Sequence, residues 1–301
     1  MATNTTTALS AEMGKFYDKL LIERTKPNLV YADYGQKRNI PAGNGKTASF
    51  RKYSSLAPAS TALTEGTLPA VTALTVTELT ASVSQYGAYT DVTDVLNMTA
   101  VDNVISDATE ILGDQAGLTI DTIVRDVIAA GTNVQYGGGA ASAATVAATS
   151  YLSSSEIKKA ARTLKNNNIA KIDGYYIAVI DPSVSADLMA DAEWKAVNQS
   201  NNGGANIYKG EIGKLYGVRF IESTNVKTEA GGSEITLHNC LFFGKNSYGV
   251  VDVDGSGKPS LIVKQPTDAL DQVSTIGWKA LFTAKILDQN GIVNVKVSAS
   301  A

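Results

Sequence analysis

AVDNVISDATEILGDQAGLTIDTIVRDVIAA, residues 100–130, is the longest periodic stretch of the chain. Val101, Val104, Ile105, Ala108, Ile111, Leu112, Leu118, Ile123, Val127 and Ile128 recur at three and four, the period of an amphipathic α-helix. Asp102 lies near its start and Gly131 is placed to end it. At 1.5 Å per residue such a helix extends roughly 45 Å, longer than a compact small domain is wide. Gly113 and Gly117 each cost about 1 kcal/mol in a helix interior, so the sequence predicts a kink or close packing there.

Downstream, the small flexible run GGGAASAATVAAT, residues 137–149, reads as a boundary. SSSEIKKAARTLK, 153–165, has a helical pattern with Ser153 and Glu156 spaced as a capping box. YYIAVI, 175–180, is continuously apolar up to Asp181-Pro182, as a strand buried on both faces must be. Helices over 183–198 and short strands over 216–222 and 235–243 complete a small α/β unit. Ile276, Trp278, Ala280, Phe282, Ala284 and Ile286 then alternate, Asn290-Gly291 marks a turn, and Val293, Val295 and Val297 alternate again, which predicts a closing hairpin. The simplest architecture is α+β: 74–135 and 259–301 form one discontinuous unit, and 136–258 is inserted into it.

Upstream, LSAEMGKFYDKLLIER, 9–24, predicts a short amphipathic helix with Phe16, Tyr17, Leu20 and Leu21 on its apolar side. The following NLVYADYGQKRNIPAGNG has little that could bury itself, so residues 1–45 read as an arm in need of a surface to dock on. KTASFRKYSSL, 46–56, and LPAVTALTVT, 68–77, read as the strands of a long hairpin. A two-stranded ribbon is marginal alone in water and calls for a neighbouring element or subunit. Residues 74–93 continue extended, with a change of apolar phase around Glu78 that predicts a bend.

Composition narrows the function classes. The 301 residues are 44% hydrophobic, enough for a real core, and 26 basic against 29 acidic side chains leave no overall field to steer the molecule onto nucleic acid or membrane. Cys240 is the single cysteine and His238 the single histidine, too few for a disulfide or a conventional zinc site, and a reducing compartment fits. Neither the N-terminal MATNTTTALSAE nor any later segment has the apolar length of a signal peptide or membrane span.

Motifs of enzymes are imitated without being completed. GNGKT, 43–47, ends like a phosphate-binding loop, but the first glycine position is Ile40, no apolar strand precedes it and no helix follows. A glycine turn feeding the hairpin is the better reading. DVDGSGKPS, 252–260, opens like a calcium loop but has Val263 where the bidentate glutamate belongs, and reads as a turn between strands. In LHNCLFF, His238 and Cys240 share a strand face with no acid placed by the sequence to orient the histidine, which predicts a packed Cys and a partly exposed His. No catalytic residue, metal or cofactor is expected. Tyr31, Tyr34, Lys46, Arg51, Lys52, Tyr53 and Glu65 lie on arm and hairpin, where tyrosines beside basic residues are the material of interface hot spots.

Taken in order, GKTASFRKYSSL, LTEGT, TVTELTASVSQYGAYTDVTDVL, ATEILGDQAGLTIDTIVRDVIAAGTNVQY, YYIAVIDPSVSADLM and GEIGKLYGVRFIEST resemble the major capsid proteins of tailed bacteriophages. The chain is most similar to the branch typified by large short-tailed coliphages of the enquatro type. The resemblance covers essentially the whole chain and implies the Hong Kong 97-type fold: an N-terminal arm (1–45), an extended E-loop (46–73), a peripheral domain with a spine helix (74–135, completed by 259–301) and an axial domain (136–258). It implies self-assembly as hexamers and pentamers into an icosahedral shell around double-stranded DNA, in a virion assembled in the host cytoplasm. A separate scaffold protein, a portal and a decoration protein are the implied partners. An encapsulin-like nanocompartment is the alternative with the same fold.

Overall fold

The computed structural model of the protein describes residues 21, 29–54, 56–63, 65–99, 104–200, 213–232, 235–255, 257–264 and 272–300. The helix expected over 9–24 lies outside the described residues except for Leu21, which is helical and buried. In chain order the strands are β1 (Gln36–Ile40), β2 (Thr47–Tyr53), β3 (Val76–Ser82), β4 (Ser84–Thr93), β5 (Val134–Tyr136), β6 (Tyr176–Ile180), β7 (Lys214–Leu215), β8 (Val218–Glu222), β9 (Thr228–Ala230), β10 (Thr236–Phe243), β11 (Tyr248–Val253), β12 (Ser260–Lys264), β13 (Val273–Ile286) and β14 (Ile292–Val297). The helices are α1 (Tyr31–Tyr34), α2 (Asp94–Thr99), α3 (Val104–Ala129), α4 (Ser154–Asn166), α5 (Pro182–Ala190) and α6 (Ala192–Ser200).

The architecture is α+β. In the first sheet β13 is central: β4 runs antiparallel along one edge, β12 and then β11 along the other, and β1 lies parallel outside β11. The alternation of β13 buries Ile276, Trp278, Ala280, Phe282 and Ala284. They pack in one core with Leu112, Ala116, Ile120, Val124 and Ile128 of α3, and Trp278 donates its indole N–H to Gln115 Oε1 at 3.1 Å. Each of the larger aliphatic and phenyl side chains among them contributes about 1.5–3 kcal/mol. Helix α3 runs unbroken through Gly113 and Gly117, both buried, so close packing rather than a kink accounts for them.

The second sheet has the order β5-β14-β10-β6-β8-β7, with β9 also on β10. It is a middle layer. Ile177, Val179, Leu241 and Phe243 join the α3 core, while Tyr176, Ala178, Ile180, Cys240 and Phe242 face a second core completed from α4, α5 and α6 by Ile157, Leu164, Val184, Leu188 and Trp194. Period-two alternation on strands buried on both faces therefore builds two cores from one sheet.

Three local expectations need correction. The closing hairpin does not form: β13 belongs to the first sheet and β14 pairs with β10 and β5 in the second. Most of both β13 edges is taken by β4, β12 and β11, so the chain turns through Gln289–Gly291 and β14 fills the open edge of β10. The partner of β2 is 76–82 rather than 68–77, because only that register sets Phe50 opposite Leu79 and Ala48 opposite Ala81. The bend of the extended region accordingly falls at buried Val83, between β3 and β4, and not at Glu78.

The cap of α4 also differs from the capping box expected of Ser153 and Glu156. Ser153 Oγ lies 2.9 Å from Ser155 Oγ instead. The Asp191 carboxylate accepts from Ser154 N at 3.2 Å, and also from Glu193 N at 2.8 Å and Trp194 N at 3.2 Å, so one side chain caps α4 and α6 together.

Candidate assembly interface

The arm is the first segment the sequence leaves in need of a surface, and its inner part finds that surface on its own chain. Asp121, buried on α3, accepts from Val30 N at 2.9 Å, Tyr31 N at 2.7 Å and Ala32 N at 3.4 Å. These are donors left unpaired at the start of α1. Asn225 Nδ2 reaches the second carboxylate oxygen at 3.3 Å, and Arg125 Nη1 holds Asn225 Oδ1 at 2.7 Å. Burial raises the Asp121 pKa above the ordinary carboxylate value, against the pull of these hydrogen bonds. Tyr31 is buried, its carbonyl accepts from Tyr248 OH at 2.5 Å, and burial pushes its own hydroxyl pKa upward. It therefore packs within its own subunit and is not free for a neighbour. Tyr34 is half-buried against Phe243, ring centroids 6.1 Å apart, and β1 continues the arm as a strand of the first sheet.

Beyond β1 the chain reverses through Gly43 (φ +86°) and Gly45 (φ +78°), left-handed positions that suit glycine, with Asn44 N bonded to Pro41 O at 3.2 Å. GNGKT is thus the turn into the hairpin. Lys46 is exposed there, and its carbonyl accepts from Val83 N at 2.8 Å across the base. Ala48, Phe50, Ala81 and Val83 bury themselves against Ile40 and Val251. Gly249 admits the Phe50 ring, since a Cβ there would lie 2.9 Å from Phe50 Cζ. Arg38 lies over the same Phe50 ring, its guanidinium carbon 5.2 Å from the ring centroid, and Lys52 Nζ pairs with Asp288 at 3.0 Å.

Past this base the hairpin leaves the body of its own chain. Tyr53 is 61% exposed, Leu56, Leu63 and Leu74 are exposed, and Leu68 and Val71 are 92% and 98% exposed. Arg51 is exposed on β2, and Glu65 stands exposed in the turn at the far end. A second apolar group lies on α2 and the outer side of α3: Val95, Leu96, Met98, Ile111 and Leu118. Ile111 and Leu118 follow the helical period, so the sequence counts them with the core, yet they are 68% and 50% exposed. Their i, i+7 spacing, offset from Leu112, is the signal of a second stripe. Unpartnered apolar side chains in this density mark an interaction surface. The sequence placed Arg51, Lys52, Tyr53, Lys46 and Glu65 on exposed segments, but missed Asp121, Arg38, Asp288 and the outer stripe of α3.

The enzyme-like motifs take other parts. Residues 252–260 run from β11 through a turn, with Asp254 and Gly255 at positive φ, into β12. His238 has an acid nearby after all: Asp181 Oδ2 is 3.4 Å from its Nδ1, and the His238 side chain is largely buried. Cys240 is fully buried, and burial raises its pKa, so the thiol stays protonated rather than forming a nucleophile. No group of residues that could hold a metal ion occurs among the described residues, and no helix among them is long and apolar enough to cross a membrane.

The fold is shared with solved phage capsids. The capsid of Ralstonia phage GP4 matches with a TM-score of 0.70 at 16% identity, over 89% of this chain and 88% of that one. The Cyanophage Pam1 capsid asymmetric unit matches with a TM-score of 0.70 at 16% identity, over 90% and 92%. The head structure of Helicobacter pylori bacteriophage KHP40 gives 0.69 at 12% identity, over 87% and 88%. No curated protein matches the chain. The family model described as phage capsid protein matches residues 76–295, from the second hairpin strand to β14. The chain belongs to the phage capsid protein family.

Proposed function

We propose that the protein is the major capsid protein of a tailed phage, assembling as hexamers and pentamers into an icosahedral shell that encloses double-stranded DNA. The observation that carries this reading is the hairpin beyond Tyr53, which exposes five leucines and valines to solvent in the single subunit. Such a segment is stabilised by burial on a neighbour, and obligate assemblies commonly bury about 2,000–5,000 Å². In the Hong Kong 97-type plan, residues 1–45 act as the arm and 46–73 as the E-loop. Residues 74–135 with 259–301 form the peripheral domain, which β11 joins by pairing with β13, and the rest of 136–258 forms the axial domain. The pairing of β14 with β10 supports reading its part of the return segment as the seam between peripheral and axial domains.

A separate scaffold protein, a portal and a decoration protein are the partners of that assembly, and the virion is its final location. The family match and the capsid neighbours favour a phage shell over an encapsulin-like compartment. Expression of the chain with the scaffold from its own gene neighbourhood tests the proposal. Closed shells in negative-stain images are expected, and monomers or dimers under all conditions would overturn it.

A further inference from the structure

Between β1 and β2 lies a cleft of about 480 Å³, lined among others by Arg38, Asn39, Pro41, Asn44, Ser49 and Arg51. Among the described residues each of these strands is paired on one edge only, β1 with β11 and β2 with β3. No acidic side chain among the described residues lines the cleft itself. Among the described residues neither arginine has a carboxylate partner. Arg38 lies over Phe50, and Glu78, opposite Arg51 in the ladder, is engaged by the hydroxyl of Ser49. The cleft thus presents two guanidinium groups between two half-paired strands, with the Glu78 carboxylate beside it on Ser49.

The hairpin carries the complementary charge at its other end. Between Tyr53 and Glu78 the one charged residue is Glu65, in an otherwise neutral run of leucine, valine, alanine, serine, threonine, proline and glycine. It is exposed, in a turn closed by Gly66 at φ +77°. The ladder of β2 and β3 runs from Thr47–Ser82 at the base to Tyr53–Val76. At about 3.3 Å per residue the ladder is roughly 20 Å long, and Glu65, beyond its outer end, does not line the cleft of its own chain.

We propose that the Glu65 turn of one copy docks in the Arg38–Arg51 cleft of a second copy. This rests on the shell-forming reading above and names the contact that joins its subunits. Tip and cleft are different surfaces, so the contact is heterologous: every copy offers both, and repetition gives a ring or an open chain rather than a two-fold dimer. An isolated carboxylate entering a site with two guanidinium groups fixes register and partner choice, while the flanking apolar side chains supply the buried area.

Charge reversal tests the pairing, because both halves are exposed in the single chain and their exchange leaves the subunit core untouched. Glu65→Arg alone and Arg51→Glu alone should each lower the yield of closed particles about tenfold, and the double variant Glu65→Arg/Arg51→Glu should return it to within about twofold of the parent. Circular dichroism and thermal unfolding check that each subunit is folded. A second readout uses Glu65→Cys with Asn44→Cys. Since Cys240 is buried, mild oxidation should link successive copies into a ladder on a non-reducing gel. Unchanged particle yield in Glu65→Arg, or no recovery in the double variant together with no ladder, overturns the docking while parent shells leave the shell reading standing. A parent protein that forms no particles removes the shell reading itself.

Discussion

Asp121 is the residue on which the arm depends. It gathers three backbone N–H groups at the start of α1 and one side-chain amide, the bonds from Tyr31 and Ala32 buried and those from Val30 and Asn225 partly so. Truncation in Asp121→Ala leaves the buried N–H groups of Tyr31 and Ala32 without an acceptor, and each orphaned group costs about 1–3 kcal/mol. We expect urea unfolding of this variant to show a loss of about 3 kcal/mol or more, with proteolysis cutting first near residue 30. Asp191 gives a pH dependence with the opposite chemistry. Burial pushes its pKa up, but hydrogen bonds from Ser154, Trp194 and Glu193 N–H groups and the Ser154 hydroxyl outweigh that, and the net shift is downward. A depressed folded pKa means stability that is present above the ordinary carboxylate value and lost as pH falls through the folded value. Asp191→Asn should therefore flatten the acid limb of a stability-against-pH curve. It should also cost about 1 kcal/mol at neutral pH as a weakened shared cap. Nothing in the local sequence marks Asp121, because its partners lie about 90 positions or more away, and at Asp191 only the local cap of α6 is legible while the bond to Ser154 is not.

At the scale of elements, α3 has two apolar sides with different duties. Leu112 is buried under β13 and Ile111, one position away, is exposed. Leu112→Ala should destabilise the subunit by about 2–5 kcal/mol. Ile111→Asp should leave the unfolding midpoint within experimental error and suppress assembly, read as particle yield in sedimentation. The hairpin divides in the same way at Tyr53. Its base is bound to the body through Phe50, Gly249 and the Lys52–Asp288 pair, whereas 56–63 and 65–75 are exposed throughout. Deletion of residues 54–66 should therefore give a folded, soluble subunit that forms no stable shells, with normal shells from the deletion as the contrary result. The hairpin was legible as strand-like sequence on either side of a polar turn. Its register was not, since residues 68–77 alternate as well as 76–82 until Phe50 and Ala48 have to find partners.

At the scale of the molecule, the second sheet joins two cores and should make them unfold together. Cys240 lies at its centre, fully buried, and is the chain's single thiol. Its labelling by a maleimide should be negligible in the native subunit and should follow global unfolding as urea is added. Fast stoichiometric labelling without denaturant would show that the second core opens by itself.

Local chemistry was enough for much of this. The period of residues 100–130, the apolar run at 175–180, the glycine turn at 43–45 and the missing pieces of each enzyme motif are properties of short stretches, and short stretches carry their own backbone preferences and periodicity. The protein's α+β character and the ordered set of segments that resembles phage capsid proteins were therefore open to reading without coordinates. What only the tertiary structure decided depends on which distant residues meet. Tyr31 turned inward because Asp121, 90 positions away, holds its N–H. The final alternating strand left its expected hairpin because the edges of β13 were already largely occupied and β10 still had one open. Ile111 and Leu118 stayed in water because the sheet covers one side of the helix, and a helical period records that a side chain is apolar without recording which partner, in this chain or the next, will bury it.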